Sequence, residues 1–292
     1  MNALEISRLH KSYPGKRLGK VAALQDLSLE VRAGEVFGFL GPNGAGKSTT
    51  IKILMGLLRP SSGSVSMFGK PVQDAQSRLR VGFLPENPSF YDFLTGREYL
   101  QFVGRTFAMT DQAIRSASSG LLDLLDLAAA ADRPLRGYSK GMTQRLGLAQ
   151  AMLHDPDLYI LDEPMSGLDP IGRSLVKEII KDLKRRGKTV FFSTHITADI
   201  EVVCDRVGIV VAGRLRTVDS VANILHSGLQ GYQIQVNRAG VSEELQIDKD
   251  RLQPLLSELI SAGAFIERIE PKRKDMEAFL LDILANEPAV KQ

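Results

Sequence analysis

The stretch Gly41-Pro42-Asn43-Gly44-Ala45-Gly46-Lys47-Ser48 decides the fold that we expect for this chain. It fits the pattern G-x-x-x-x-G-K-[ST], and it lies between a short apolar run at residues 36–40 and a segment with helical spacing that begins near Thr49. A strand, a glycine-rich turn and a helix in this order form a phosphate-binding loop. The stretch therefore predicts an α/β protein with a site for nucleotide phosphates.

The chemistry of this loop assigns roles to its residues. Its glycines let successive backbone N–H groups point at phosphate oxygens, and the following helix adds its positive N-terminal end. We expect Lys47 to reach the β and γ phosphates of ATP, and the Ser48 hydroxyl to ligate Mg²⁺. The expected nucleotide-binding residues are Gly41, Pro42, Asn43, Gly44, Ala45, Gly46, Lys47, Ser48 and Thr49.

Two adjacent carboxylates follow the apolar run at residues 158–161. Because ligands bind at the carboxyl ends of strands in open α/β sheets, we expect Asp162 to hold Mg²⁺ and Glu163 to act as the general base that activates water. His195 follows a second apolar run and is placed to donate to the γ phosphate. Taken alone, the carboxylate pair also fits a helix cap, and the histidine also fits a structural role.

Composition limits the class of protein. The chain has 292 residues, 43% of them apolar, which allows one large domain and a small one. We find neither an apolar run of about 18 residues nor a signal-peptide core, so we expect the chain neither to span a membrane nor to leave the cytosol. Cys204 is the only cysteine, and the net charge of +3 is not concentrated, so we expect no intramolecular disulfide and no nucleic-acid partner.

Hydrophobic periodicity divides the chain into regions. Alternating residues over the first thirty positions predict an N-terminal antiparallel sheet, and the runs at 158–161 and 189–194 predict buried parallel strands separated by a helix over 172–186. Residues 88–156 read as an almost entirely helical subdomain. We expect the first domain to end near residue 220 and residues 221–292 to form a small α+β domain.

A segment at residues 137–145 narrows the choice among P-loop proteins. It resembles the signature motif of the ABC ATPases, usually Leu-Ser-Gly-Gly-Gln, at Ser139 and Gly141. It departs from that form at three positions, Tyr138, Lys140 and Met142. The variant is similar to that of the ABC-2 type exporter branch, which the tail at residues 269–284 also resembles. This resemblance implies a P-loop ABC ATPase domain with a mixed sheet core, an N-terminal antiparallel sheet and a helical subdomain.

The resemblance also implies roles for further residues. In this family the signature serves the nucleotide bound by the opposite subunit, so a second copy of the chain is expected in a head-to-tail dimer that sandwiches ATP. Asp169 looks like part of the D-loop at that interface, and Tyr13 like the aromatic residue that stacks on adenine. Glu86 stands where the family's Q-loop usually has glutamine, and a carboxylate there can also bind Mg²⁺.

The function that the resemblance implies is that of an ATP-hydrolysing subunit of an ABC transporter, with a lean towards export. Such a subunit lies at the cytoplasmic face of the cell membrane beneath a separate transmembrane permease, for which Phe90, Tyr91 and Phe93 are candidate contacts. One alternative is a soluble ABC-type ATPase that is not coupled to transport. Another is a scaffold that binds ATP without hydrolysing it, although Glu163 and His195 argue against this.

Overall fold

The structure is a computed structural model that describes residues 1–15, 19–227, 229–238, 241–273 and 275–285. Its internal contacts divide the chain into two units, Met1–Val218 and Asp219–Gln292. The boundary that we expected near residue 220 lies close to this division. Each unit has its own hydrophobic cluster, and the two are described in turn.

The first unit is built around two sheets. In chain order its strands are β1 Asn2–Pro14, β2 Lys20–Arg32, β3 Val36–Leu40, β4 Ser62–Met67, β5 Lys70–Pro71, β6 Val81–Leu84, β7 Leu158–Asp162, β8 Thr189–Thr194, β9 Arg206–Val211 and β10 Arg214–Ser220. Its helices are α1 Lys47–Leu54, α2 Gly96–Thr106, α3 Asp111–Leu124, α4 Lys140–Met152, α5 Pro170–Arg185 and α6 Thr197–Val203.

The N-terminal sheet has the strand order β2-β1-β4-β5 and is antiparallel throughout. Its strands alternate as the sequence predicts, because one face is buried and the other meets solvent. On β1, for example, Leu4 and Ile6 are buried whereas Glu5 and Ser7 are exposed. The predicted antiparallel sheet at the N-terminus is therefore confirmed.

The central sheet has the strand order β10-β9-β3-β8-β7-β6, and the strands from β9 to β6 in this order pair in parallel. Every residue of β3, β7 and β8 is buried, as expected of strands covered on both faces. The predicted parallel pair of strands is confirmed. Since parallel strands all end at the same edge, the segments that follow β3, β6, β7 and β8 meet there.

The region between residues 88 and 156 is less helical than the sequence indicates. It contains α2, α3 and α4, but turns and short 3₁₀ segments occupy 125–139. Helix α2 begins late because Thr95 forms a capping box with Glu98. Asp126 has a positive φ of 53°, which ends the helical path after α3.

One prediction about local structure was wrong in detail, and one strand was not predicted. Helix α5 begins at Pro170 rather than at Gly172, because Asp169 caps it and proline is tolerated in the first turn of a helix. Strand β6 was not predicted at all, since the run Val-Gly-Phe-Leu is short and contains glycine. This strand matters for function because Glu86 follows it by two residues.

The second unit contains a three-stranded antiparallel sheet. In chain order its elements are α7 Val221–Ser227, β11 Leu229–Arg238, β12 Val241–Asp248, α8 Leu252–Ser261, β13 Phe265–Arg273 and α9 Met276–Ala285. The strand order is β12-β11-β13, and Ile234 and Val236 of β11 pack with Leu259 of α8 in a small core. The small α+β fold that the sequence predicts for this region is present in the described residues.

Candidate functional site

A cavity of ≈360 Å³ lies at the carboxyl edge of the central sheet. The glycine-rich loop between β3 and α1 lines most of it, and Ala23 also borders it. Two carboxylates complete the lining: Glu86, which follows β6, and Glu163, which follows β7. Residues far apart in the sequence thus converge because β3, β6 and β7 are parallel strands that end at the same edge of one sheet.

Backbone geometry explains the glycines at two points of the loop. Gly46 has a φ of 105°, and a Cβ there would lie 2.8 Å from the carbonyl oxygen of Ala23. At Gly41 a Cβ would lie 2.3 Å from the carbonyl oxygen of Val210. Helix α1 starts directly after Gly46 and has no side-chain cap, so its first N–H groups remain available to an anion.

Lys47 is buried and held inside the cavity. Its Nζ donates to the carbonyl oxygens of Gly41 at 2.7 Å and Pro42 at 3.2 Å. The same atom lies 3.6 Å from Oε1 of Glu163. The ammonium is therefore positioned beside the loop, within reach of the cavity and opposite a carboxylate.

Glu163 has a strained backbone that several groups hold in place. Its φ is 48°, a left-handed conformation that is uncommon for a residue other than glycine. Its N–H donates to both the hydroxyl and the carbonyl oxygen of Ser193, at 3.0 and 3.2 Å. Nε2 of Gln144 donates to the carbonyl oxygens of Glu163 and Pro164, each at 3.3 Å. Ser193 and Gln144 therefore hold the backbone at the end of β7 in this conformation.

The adjacent carboxylates Glu163 and Asp162 contact different neighbours. Oε1 lies 3.0 Å from Nδ1 of His195, whose side chain is about half exposed. His195 borders a second cavity of ≈180 Å³, and Glu163 lines both this cavity and the loop cavity. Asp162 is 5% exposed and accepts a hydrogen bond from the Ser193 hydroxyl. The predicted pair Asp162 and Glu163 thus faces two different environments.

Ser139 and Gly141 lie outside the lining of the loop cavity, at the N-terminal end of α4. The Ser139 hydroxyl caps this helix by accepting from the Met142 N–H at 3.2 Å, and its side chain is exposed. The side chain of Lys140 lies across Gly167, where a Cβ would come within 2.6 Å of the lysine Cε. The end of α4 therefore touches the loop that follows Glu163.

Asp169 and Tyr13 also lie outside the loop cavity's lining. Asp169 caps α5 by accepting from the Gly172 N–H at 2.8 Å. Tyr13 lies on β1, its ring is 37% exposed, and Nζ of Lys11 lies 5.3 Å from the ring centre. The segment 16–18 just beyond it is outside the described residues.

Comparison with known proteins identifies the family of this chain. The family model "ABC transporter" matches residues 24–166. The ATP-binding protein YxlF of Bacillus subtilis, an uncharacterised ABC transporter component, is 36% identical over 305 residues, which cover 96% of this chain and 99% of that protein. The chain belongs to the ATP-binding proteins of ABC transporters.

Other relatives of this ABC protein carry related names. An uncharacterised ABC transporter ATP-binding protein of Synechocystis, sll0415, is 49% identical over 228 residues, which cover 77% of this chain and 64% of the relative. The chain thus matches slightly less than two thirds of that relative's length. The Nod factor export ATP-binding protein I of Burkholderia lata is 42% identical over 201 residues, covering 68% of this chain and 66% of the relative.

Solved structures match the first unit's architecture. One described as an ATP-binding subunit of an ABC transporter has a TM-score of 0.70 at 32% identity and covers 76% of this chain and 91% of its own. A dimeric cassette, MJ0796 bound to ADP and Pi, has a TM-score of 0.69 at 23% identity, covering 74% of this chain and 98% of its own, and so supports the fold alone. Within the described residues of this ABC protein, no helix is both long and apolar enough to cross a membrane.

The oxygen atoms at the cavity fit a magnesium ion that nucleotide phosphates share. Ser48 and Glu86 line the cavity, and Asp162 ends the neighbouring strand β7. These are hard oxygen donors, which Mg²⁺ prefers. In the described part of the chain no three histidine, cysteine or acidic side chains gather into a metal site. Mg²⁺ commonly keeps water and phosphate ligands beside the few oxygens that a protein supplies.

Sequence reasoning missed the residues that hold the site together. Ser193 is a fully buried polar residue in an apolar strand, and Gln144 lies inside the signature segment; both positions were visible but were given no role. Asp199 of α6 is 1% exposed and pairs with Arg173 and Lys177 of α5, each at 2.9 Å. The four-residue spacing of these two cations places them on one face of α5. The contact joins the helix that follows His195 to the helix that follows Asp169.

Proposed function

We propose that this chain hydrolyses ATP as one of two copies in a head-to-tail dimer and that hydrolysis drives transport through a separate membrane-spanning partner. The observation that carries the proposal is the position of Glu163. Its carboxylate borders the phosphate-binding loop, lies 3.6 Å from Lys47 and contacts His195 at 3.0 Å. The carboxylate of Glu163 thus lies close both to Lys47, which is expected to bind phosphate, and to His195, which is expected to assist hydrolysis.

The loop binds the phosphates. Its N–H groups and the uncapped start of α1 attract the phosphate oxygens, and Lys47 exchanges its contacts with the carbonyls of Gly41 and Pro42 for contacts with the β and γ phosphates. When bound, Mg²⁺ neutralises negative charge on the phosphates; Ser48, Asp162 and Glu86 are the side chains that we assign to it. Thr49 adds a second hydroxyl at the cavity.

Glu163 acts as the general base for water. Its left-handed backbone, held by Ser193 and Gln144, aims the carboxylate at the cavity rather than along the strand. In the tautomer that carries a proton on Nδ1, His195 donates to Oε1 and fixes the orientation of the carboxylate. Donation from Nε2 to the γ phosphate at the same time requires an imidazole that carries a proton on both nitrogens.

The second copy completes the site. Ser139 and Gly141 lie at an exposed helix end outside their own chain's cavity, where a hydroxyl and helix N–H groups are available to a γ phosphate of another chain. We assign Asp169 to the same interface and Tyr13 to the adenine ring. The Lys140 contact with Gly167 links the two interface segments. This arrangement supports a reaction that occurs only in the dimer.

An exposed aromatic cluster supports a membrane partner. We define it as Tyr91, Phe93 and Phe102, which are 57%, 69% and 50% exposed; ring centres of Tyr91 and Phe93 lie 5.9 Å apart. Phe90 instead packs on Tyr99 at 4.6 Å and is partly buried. Exposed aromatic groups of this kind mark protein contacts. We propose that a permease at the cytoplasmic face of the cell membrane binds to this cluster. The similarity of the signature variant to that of exporters favours export as the direction of transport.

Replacing Glu163 with glutamine tests hydrolysis. We expect the steady-state ATPase rate of Glu163→Gln to fall by on the order of a hundredfold or more, because general-base catalysis contributes that much. ATP binding, measured by calorimetry, should be retained. Glu178→Gln, on the exposed side of α5, is the matched control and should keep the wild-type rate. An unchanged rate in Glu163→Gln would exclude this residue as the base.

Purification from native membranes tests the partner. We expect the tagged chain, solubilised in detergent, to bring down a polytopic membrane protein. A variant with both Tyr91→Lys and Phe93→Lys should lose that protein while keeping ATP affinity. Recovery of ribosomes, nucleic acid or the chain alone would favour an ATPase that is not coupled to transport.

A further inference from the structure

The charges inside the loop cavity do not balance. Three charged side chains line it: Lys47, Glu86 and Glu163. Lys47 and Glu163 lie 3.6 Å apart and largely neutralise each other. Glu86 therefore leaves an excess negative charge at the place where a polyanionic nucleotide is expected to bind.

No other side chain compensates the charge of Glu86 among the residues that the structure describes. Its carboxylate is exposed and forms no ion pair or hydrogen bond there, unlike Asp162, which accepts from Ser193. Glu86 follows the edge strand β6 by two residues and lines the loop cavity. The carboxylate is therefore free to meet a cation brought in with the ligand.

We propose that Glu86 makes nucleotide binding depend on a divalent cation: its carboxylate repels metal-free ATP and accepts ATP that carries Mg²⁺. The proposal rests on the proposed function only for the assignment of this cavity to ATP. A neutral glutamine, the usual residue of the family here, offers an oxygen without the repulsion. Glu86 thus discriminates between metal-free and Mg²⁺-bound ATP, whereas glutamine at this position would only supply an oxygen ligand.

Glu86→Gln separates the two properties. The amide keeps nearly the same size and one oxygen ligand but removes the charge. Affinity for metal-free ATP should therefore rise on the order of tenfold, since the repulsion acts across a small, partly enclosed cavity. Affinity for Mg-ATP should change far less, because the cation already offsets the charge.

The experiment is calorimetric titration of the full chain with ATP, once with EDTA and once with excess MgCl₂. Wild type, Glu86→Gln and Glu258→Gln are compared; the last makes the same charge change at an exposed position of α8. We expect the ratio of the two dissociation constants to shrink about tenfold in Glu86→Gln only. An equal shift in both conditions, or an unchanged ratio, overturns the proposal.

A second variant guards against a substitution that merely perturbs the loop. Glu86→Lys reverses the charge and should bind metal-free ATP at least as tightly as Glu86→Gln; weaker binding overturns the proposal. If the wild-type chain binds no ATP even with MgCl₂, the nucleotide site itself is wrong and the proposed function fails with it. If the wild-type chain binds Mg-ATP and the ratio of the two dissociation constants is the same in Glu86→Gln, this inference fails but the proposed function stands.

Discussion

The edge of the central sheet and the start of α4 carry the two halves of the expected reaction, and they are built differently. At the sheet edge, Lys47 and Glu163 are buried and each makes several contacts within the chain. At the start of α4, Ser139 is exposed and makes only the contacts of a helix cap. One half is fixed by the fold of a single chain, whereas the other is open to a second chain.

The largest expected effect tests whether the two halves come from different chains. Lys47→Ala removes the ammonium that meets the phosphates, and Ser139→Asp keeps the helix cap but repels a γ phosphate. Each variant alone should lose on the order of a hundredfold in ATPase rate. Mixed in equal amounts, the two should recover about a quarter of the wild-type rate, because half of the dimers then contain one intact composite site.

The control for this mixture is a Lys47→Ala, Ser139→Asp double variant mixed with either single variant, which forms no intact site. Unchanged thermal unfolding of each protein excludes a folding defect. If the mixture of single variants shows no recovery while dimers form, the signature does not serve the nucleotide bound by the opposite chain. The sheet edge and the start of α4 are then not two halves of one composite site.

A smaller effect is expected from loosening the buried half. Ser193→Ala removes the hydroxyl that bonds both Asp162 and the N–H of Glu163. Loss of these buried hydrogen bonds should lower the free energy of unfolding by about 1–3 kcal/mol and reduce kcat while ATP affinity is kept. Denaturant unfolding and steady-state kinetics measure the two changes.

Ser257→Ala is the matched control, because its hydroxyl bonds only to the carbonyl of Gln253 on an exposed face of α8. It should leave both quantities unchanged. Equal kcat in Ser193→Ala and wild type would show that the strained backbone of Glu163 needs no support from the Ser193 hydroxyl beyond that of the Ser193 carbonyl.

The smallest expected effect concerns the thiol behind the sheet. Cys204 packs at the end of α6, and a Cβ at Gly38 of β3 would lie 2.8 Å from its Sγ. Burial raises the pKa of this thiol well above 9.0. The folded chain therefore holds the proton more tightly than the unfolded chain, so this thiol's contribution to stability falls as pH rises above about 9.

Thiol labelling measures this protection. At pH 8, iodoacetamide should modify Cys204 slowly in the folded chain and rapidly in denaturant, since only the thiolate reacts. Rapid labelling under native conditions would show that the Sγ atom of this partly exposed residue is not shielded. Labelling with and without Mg-ATP would then show whether the packing of α6 against β3 loosens when nucleotide binds.

Most residues that line the loop cavity were singled out from the sequence because the motifs that contain them are local. The glycine-rich loop, the carboxylates after β7 and the histidine after β8 each lie within a short segment with a characteristic pattern. Strand β6 escaped because four residues with a glycine give little periodicity. The hydrogen bonds from Glu163 to Ser193 were not predicted for another reason. They depend on the pairing of β7 with β8, which no local sequence pattern indicates.

The contact between Lys140 and Gly167 has a consequence for how this chain can vary over evolutionary time. The lysine side chain occupies the space that a side chain at position 167 would need, and the φ of 72° there already favours glycine. A larger residue at 167 would displace the flexible, exposed side chain of Lys140, but it would still be strained by the backbone. Among natural variants of this sequence, glycine should therefore persist at position 167 whichever residue occupies position 140.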